Sequence, residues 1–84
     1  MNTKTYEVLP IGNLDFSDTD ELKDLCFDKD SITAGYSSKE QAFLVSAIVK
    51  NDRTKIVVFR IRIHGLTSVM QFGAIKKQVL DRAS

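Results

Sequence analysis

Two apolar segments near the middle of the chain have the pattern of β-strands. They are QAFLVSAIVK (41–50) and KIVVFRIRIH (55–64), and both are rich in β-branched or aromatic residues. They flank NDRT, a short polar loop of turn-forming residues. The pattern predicts a β-hairpin over residues 41–64.

Alternate side chains of the second strand point to opposite faces. One face carries Val57, Phe59, Ile61 and Ile63. The other carries Ile56, Val58, Arg60, Arg62 and His64. Burying one large apolar side chain contributes roughly 1.5–3 kcal/mol, whereas two arginines about 6.8 Å apart repel by roughly 0.6–2.4 kcal/mol. We therefore expect the face of Phe59 to be inward, and Arg60 and Arg62 to reach water or an anion.

The pairing of the two strands decides which residues of the first strand share each face. Pairing Lys50 with Lys55 across the loop puts Leu44 and Ile48 on the core face. The face that carries Arg60 and Arg62, here called the arginine face, then also carries Phe43, Val45, Ala47 and Val49. That face is then too apolar to stay bare in a monomer, and the first helix, a second copy of the chain or a ligand would cover it.

The last part of the chain, GLTSVMQFGAIKKQVLDRAS, predicts a C-terminal helix over residues 67–83. Its apolar stripe, near a period of 3.6, consists of Val69, Phe72, Ile75, Val79 and Leu80. Ser68 with Gln71 fits a capping box, and Thr67 is the other candidate cap. Gly73 costs about 1 kcal/mol relative to alanine inside a helix. Close approach to the sheet would explain it, and so would a merely tolerated glycine.

The first half of the chain gives weaker signals. SDTDELKDLCF predicts a short helix capped by Ser17 or Asp18, and its apolar face consists of Leu22, Leu25 and Cys26. TYEVLPI predicts a short strand with Pro10 at its end or at a sheet edge, and residues 31–37 are an ambiguous strand. We therefore expect one domain, 1–84, of the α+β class: a small antiparallel sheet of three or four strands with two helices, in the order β-α-β-β-β-α.

Charge is divided unevenly along the chain, although its net value is only +1. Residues 1–38 carry three lysines against eight acidic residues, a net of −5, and residues 39–84 carry nine basic against three acidic residues, a net of +6. Either the basic half presents a surface for an anionic partner, or the two halves neutralise each other when they fold.

Candidate chemistry is sparse. One cysteine, Cys26, and one histidine, His64, cannot form a zinc cluster or an internal disulfide. Asp15, Asp18 and Asp20 do not have the spacing of a calcium-binding loop, and helix capping explains them. The four glycines are too far apart for a phosphate-binding loop. We expect no cofactor, no metal and no enzymatic activity. The single cysteine, the lack of a visible signal peptide and the lack of a spanning apolar segment predict a cytoplasmic protein without membrane contact.

The hairpin is the predicted interaction site. The residues assigned to it are Phe43, Lys50, Arg53, Lys55, Val58, Arg60, Arg62 and His64. We expect a non-enzymatic module that forms a homodimer or binds a protein partner, through either the hairpin face or a strand edge. Phe43 opposite Arg62 would add a cation–π contact.

The alternative is nucleic-acid binding by the basic hairpin, through Lys50, Arg53, Lys55, Arg60 and Arg62. The order helix, three strands, helix from residue 17 onward resembles the double-stranded-RNA-binding fold in topology. The start of the last helix, TSVMQFGA, departs from that family because it lacks the lysine cluster that binds phosphates.

Overall fold

A computed structural model of the protein describes residues 2–8 and 20–83. The elements of the chain are β1 (Asn2–Val8), α1 (Asp20–Lys23), a 3₁₀ turn (Lys29–Ser31), β2 (Thr33–Ser37), β3 (Ala42–Ile48), β4 (Lys55–Arg62) and α2 (Gly65–Asp81). The predicted α+β class, with a small sheet and a C-terminal helix, is confirmed. Four residues with a predicted strand-end, capping or metal role lie outside the described residues: Pro10, Asp15, Ser17 and Asp18.

The four strands form one sheet in the order β1-β4-β3-β2. β2, β3 and β4 are antiparallel neighbours, so the ambiguous segment 31–37 does contain a strand. β1 instead runs parallel to β4, from Asn2 opposite Lys55 to Val8 opposite Ile61. The expectation of a purely antiparallel sheet is wrong for this strand. A parallel neighbour needs a long connection, and residues 9–54 provide it.

The hairpin of β3 and β4 is present, but its register is shifted by one residue from the predicted one. The pairing ends with Ile48 opposite Ile56, not Lys50 opposite Lys55. A shift of one residue turns every side chain of a strand to the other face. The side chains that consequently share the face of Phe59 are Phe43, Val45 and Ala47. Leu44 and Ile48, which were predicted to be in the core, lie on the arginine face.

The reason for the shift lies at the end of β3. Val49 pairs with Phe27, a residue of the segment between α1 and the 3₁₀ turn. The backbone N–H of Lys50 donates to the carbonyl of Cys26, 2.8 Å away. The contact with β4 nevertheless continues to Val49, whose backbone N–H donates to the carbonyl of Lys55, 3.1 Å away. The loop therefore consists of residues 50–54 and is one residue longer than NDRT, which accounts for the shift.

The core lies between α2 and one face of the sheet. It is built from Val8, Leu22, Phe27, Val45, Ala47, Val49, Val57, Phe59, Ile61, Ile75 and Val79, all of them buried. Phe72 of α2 stacks on Phe43 with ring centroids 4.7 Å apart. The prediction that Val57, Phe59 and Ile61 face inward is confirmed. Ile63 is the exception, because it follows the end of β4 and is 47% exposed.

The segment from α1 to the 3₁₀ turn closes one end of this core. Leu22 of α1 is fully buried, but the helix ends at Lys23, so Leu25 and Cys26 lie beyond it and are half-buried. The description of α1 begins at Asp20, so the predicted start of this helix is not covered. Asp28 caps the 3₁₀ turn by accepting a hydrogen bond from the backbone N–H of Asp30.

Candidate interaction surface

The eight residues predicted to bind a partner do not form one surface. Val58, Arg60 and Arg62 lie on the face of the sheet that α2 leaves open, here called the open face. Lys50, Arg53 and Lys55 surround the turn of the hairpin.

Phe43 lies on the opposite face, under α2, where it stacks on Phe72 and contacts the ring of Tyr36 edge-on. The predicted contact of Phe43 with Arg62 is therefore wrong, since the register shift separates them. His64 lies before α2 and is exposed.

Two basic residues at the hairpin turn, Arg53 and Lys55, are paired with carboxylates. Arg53 Nη1 lies 2.5 Å from Asp28 Oδ2, and Lys55 Nζ lies 3.7 Å from Asp52 Oδ2. The hydrogen bond from Arg53 lowers the pKa of Asp28. The pKa of Asp52 is also lowered, first by its hydrogen bonds from the hydroxyl and backbone N–H of Thr54. These pairs reduce the positive charge that the turn offers to an anion.

Arg60 and Arg62 differ in their surroundings. Arg62 Nε lies 2.5 Å from Glu7 Oε1 of β1, and the arginine side chain remains 61% exposed. Arg60 is half-buried, and its Nε has no hydrogen-bond partner among the described residues. The pairs Arg62–Glu7 and Arg53–Asp28 each join the basic half of the chain to the acidic half, so the two halves do neutralise each other in part.

The open face has an apolar centre. Leu44 and Ile48 of β3 lie beside Arg60 and Ile56 of β4, and Val58 lies opposite Ser46. Each of the apolar side chains here is half-buried. Polar residues flank them on the two edge strands: Thr3 and Thr5 on β1, and Thr33 and Ser37 on β2. The open face is thus a mixed surface of moderate apolar exposure.

A more exposed apolar surface lies on α2, on the side away from the sheet. Leu66 is 82% exposed, Met70 74%, Val69 52% and Leu80 45%. We call this surface the outward face of α2 and define it by Leu66, Val69, Met70, Gly73, Lys76, Lys77 and Leu80. Single exposed apolar residues are common on protein surfaces, but several that share one helix face are typical of a contact surface.

The orientation of α2 explains why these residues are outside. The side of the helix that meets β3 and β4 consists of Ser68, Gln71, Phe72, Ile75 and Val79. The helix begins at Gly65, so Ser68 lies in its first turn and donates to the carbonyl of Gly65, 2.8 Å away. The predicted capping box at Ser68 and the cap at Thr67 are therefore wrong. Val69 and Leu80, which were predicted to face the core, are exposed because Ser68 and Gln71 occupy the inner side.

Sequence reasoning missed Leu66 and Met70 altogether. The available signal was a second apolar series at helical spacing, 66–69–70–80, about half a turn away from Ile75 and Val79. Each series lies within one side of a helix with 3.6 residues per turn, so either one could have been the buried side. The choice between them depends on the face of the sheet that α2 covers, and the residues of β3 had been assigned to the wrong face.

A small cleft of about 280 Å³ lies between β1, α1 and the hairpin turn. Its walls include Tyr6, Leu25, Val57 and Lys55. The Tyr6 hydroxyl donates to Glu21 Oε1 over 2.5 Å, and burial, with this hydrogen bond, raises the pKa of Tyr6. Neither Cys26 nor His64 lines this cleft.

Comparisons with known proteins, and a search for metal ligands and membrane-spanning helices among the described residues, add no further candidate site. No family model matches the chain, and no curated protein or solved structure matches it either. Within residues 2–8 and 20–83, no group of three or more histidine, cysteine or acidic side chains is placed to hold a metal ion. The helices of the described part are all too short or too polar to cross a bilayer.

Proposed function

We propose that the protein is a small non-enzymatic interaction module that forms a homodimer through the outward face of α2. The observation that carries this proposal is the exposure of Leu66 and Met70, at 82% and 74%. Of the six large hydrophobic residues exposed in the described part of the chain, four belong to this face, and Ile63 lies two residues before α2. Burying a leucine or methionine fully contributes about 1.5–3 kcal/mol.

A second copy of the chain is the simplest occupant of this surface. Every copy carries the same apolar helix face, and two-fold symmetric dimers are the commonest oligomers of soluble proteins. The open face was the earlier candidate, but its apolar residues are only half-exposed and gain less from being covered. The outward face of α2 therefore has the larger driving force.

The non-enzymatic part of the proposal is supported by where the reactive side chains lie. Cys26 lies near the hairpin turn, because its carbonyl accepts the N–H of Lys50. His64 follows the far end of β4, about 25 Å away at the rise of an extended strand. A cytoplasmic location stays a prediction, and its support is the single cysteine of the chain.

Light scattering and sedimentation equilibrium, from micromolar to near-millimolar protein, test the dimer. We expect the wild-type chain to dimerise and the variant Leu66→Ser/Met70→Ser to stay monomeric with an unchanged fold. The matched control is Leu44→Ser/Val58→Thr on the open face, which should dimerise like the wild type. A wild-type protein that is monomeric throughout would refute the proposal. So would a dimer that only the open-face variant loses.

Nucleic-acid binding is the second candidate. Arg53 and Arg62 favour it, because their side chains stay 68% and 61% exposed even within ion pairs. It has less support because those pairs already satisfy part of the basic charge, and because the start of α2 presents Leu66 and Met70 instead of lysines. Titrating labelled single- and double-stranded oligonucleotides at low and high salt tests it. Salt-sensitive binding that Arg53→Gln/Arg62→Gln weakens would support this candidate.

A further inference from the structure

The residues of the outward face of α2 are arranged symmetrically about Gly73. Leu66 and Leu80 stand seven positions before and after it. Val69 and Met70 stand four and three positions before it, and Lys77 and Lys76 stand four and three positions after it. Seven residues of an α-helix make almost two full turns and span about 10.5 Å. The two leucines therefore lie on the same side of α2 as Gly73, at equal distances from it.

We propose that two copies of the chain pack α2 against α2 antiparallel, with the two-fold axis of the dimer passing beside Gly73. This arrangement rests on the proposed function and specifies its geometry. Leu66 of each copy then lies against the partner's Leu80. Val69 and Met70 lie against the alkyl chains of the partner's Lys76 and Lys77, whose ammonium groups extend to water at the rim.

The lysines distinguish this arrangement from a parallel one. In a parallel pair, Lys76 and Lys77 would lie directly beside the same two residues of the other copy, and four like charges would meet. In the antiparallel pair, Lys76 and the partner's Lys76 are separated by about 9 Å along the axis. That distance exceeds the Debye length of about 8 Å at physiological salt, so their repulsion is largely screened.

Gly73 itself is explained by such a crossing. It lies in the middle of α2, where glycine is the least favourable residue apart from proline. A Cβ built at this position would meet no atom within 4 Å in the described part of the chain. The expectation that Gly73 allows a close approach of α2 to the sheet is therefore wrong. A second helix crossing at Gly73 would approach closely because the Cβ atom is missing.

The ends of α2 also fit an antiparallel partner. The first turn of the helix holds no acidic residue, and the side chain of the N-cap residue, His64, makes no capping hydrogen bond. Asp81 is the last residue of the helix. An antiparallel partner brings its Asp81 beside the helix N-terminus, whose partial positive charge favours a carboxylate. The two-fold axis repeats this contact at both ends of the pair.

Disulfide trapping tests the orientation, because a disulfide needs Cα atoms about 4.4–6.8 Å apart. Each variant is made in a Cys26→Ala background that has first been shown to fold and to dimerise. A mixture of Leu66→Cys chains and Leu80→Cys chains should cross-link efficiently. The Leu66→Cys chain alone should not cross-link, because the two thiols of its dimer would lie about 21 Å apart.

The outcomes separate this geometry from the dimer itself. A protein that dimerises by light scattering, but in which Leu66→Cys cross-links to itself or the mixed chains do not cross-link, would overturn the antiparallel arrangement and leave the proposed function intact. A monomer would overturn both. The charge contact gives a second measurement that needs no cysteine. The dimer contains two such contacts, so Asp81→Asn should raise the dissociation constant by about three- to thirty-fold. The matched control Asp24→Asn should leave it unchanged.

Discussion

Replacing Gly73 with alanine should have opposite effects on the fold and on the dimer. Gly73 is the ninth of the 17 residues of α2, and its missing Cβ has free space around it. Alanine in a helix interior is more stable than glycine by about 0.8–1.0 kcal/mol. The monomer should gain this amount, and its melting temperature should rise by about 4–8 °C, as expected for a domain of this size.

Urea unfolding followed by circular dichroism, at a concentration where light scattering shows only monomer, measures the first effect. Sedimentation equilibrium measures the second, and we expect the dissociation constant of Gly73→Ala to rise because the added methyl group separates the two helices. Ala74→Gly is the matched control on the neighbouring exposed position: it should destabilise the monomer by about 1 kcal/mol and change dimerisation much less. A Gly73→Ala monomer that is less stable than the wild type would refute the reasoning, since the glycine would then be needed inside the chain.

The core and two ionisable groups give further predictions. Ile75→Ala should cost about 2–5 kcal/mol in the urea unfolding of the monomer, whereas Leu66→Ala should change it by less than about 0.5 kcal/mol; equal losses would contradict the orientation of α2. The raised pKa of Tyr6 means that stability present below about pH 10 is lost as the pH rises further, and Tyr6→Phe should remove this part of the alkaline loss of stability. The lowered pKa of Asp28, which Arg53 causes, means that stability is lost as the pH falls below about 4. Asp28→Asn should therefore flatten the acid side of the stability profile, and an unchanged profile would show that the pair is not formed in solution.

The hairpin shows how far the sequence can predict this fold. The positions of both strands followed from their apolar pattern, but their register was inferred from the length of the loop. Val49 still donates its N–H to the carbonyl of Lys55, so the loop has five residues, 50–54, where the sequence pattern had indicated four. The end of β3 also pairs with residues 26–28, far away in sequence, and no local pattern reveals that contact. One local clue was present. Ser46 lies in the alternate set with Leu44 and Ile48, whereas the set of Phe43 and Val45 is entirely apolar.

The helix shows the same limit at the candidate site. A period near 3.6 was enough to place α2 to within about two residues at each end, which is the usual uncertainty of helix boundaries. It could not decide between two apolar sides of one helix. Ser68 and Gln71 are buried at 1% and 4% exposure, and Leu66 is 82% exposed, which reverses the usual preference of these residue types. Such a reversal is expected where surface residues serve a contact instead of the fold.

The parallel placement of β1 has a consequence for how the protein folds. Each residue of β1 pairs with a residue of β4 that is 53 positions later in the chain, whereas the last pair of the hairpin is separated by eight positions. Closing the longer loop costs about 1.7 kcal/mol more in chain entropy. During synthesis, β1 leaves the ribosome before the other three strands of the sheet and has no neighbour until β4 follows. The earliest strand to be made is thus expected to be the last to join the sheet.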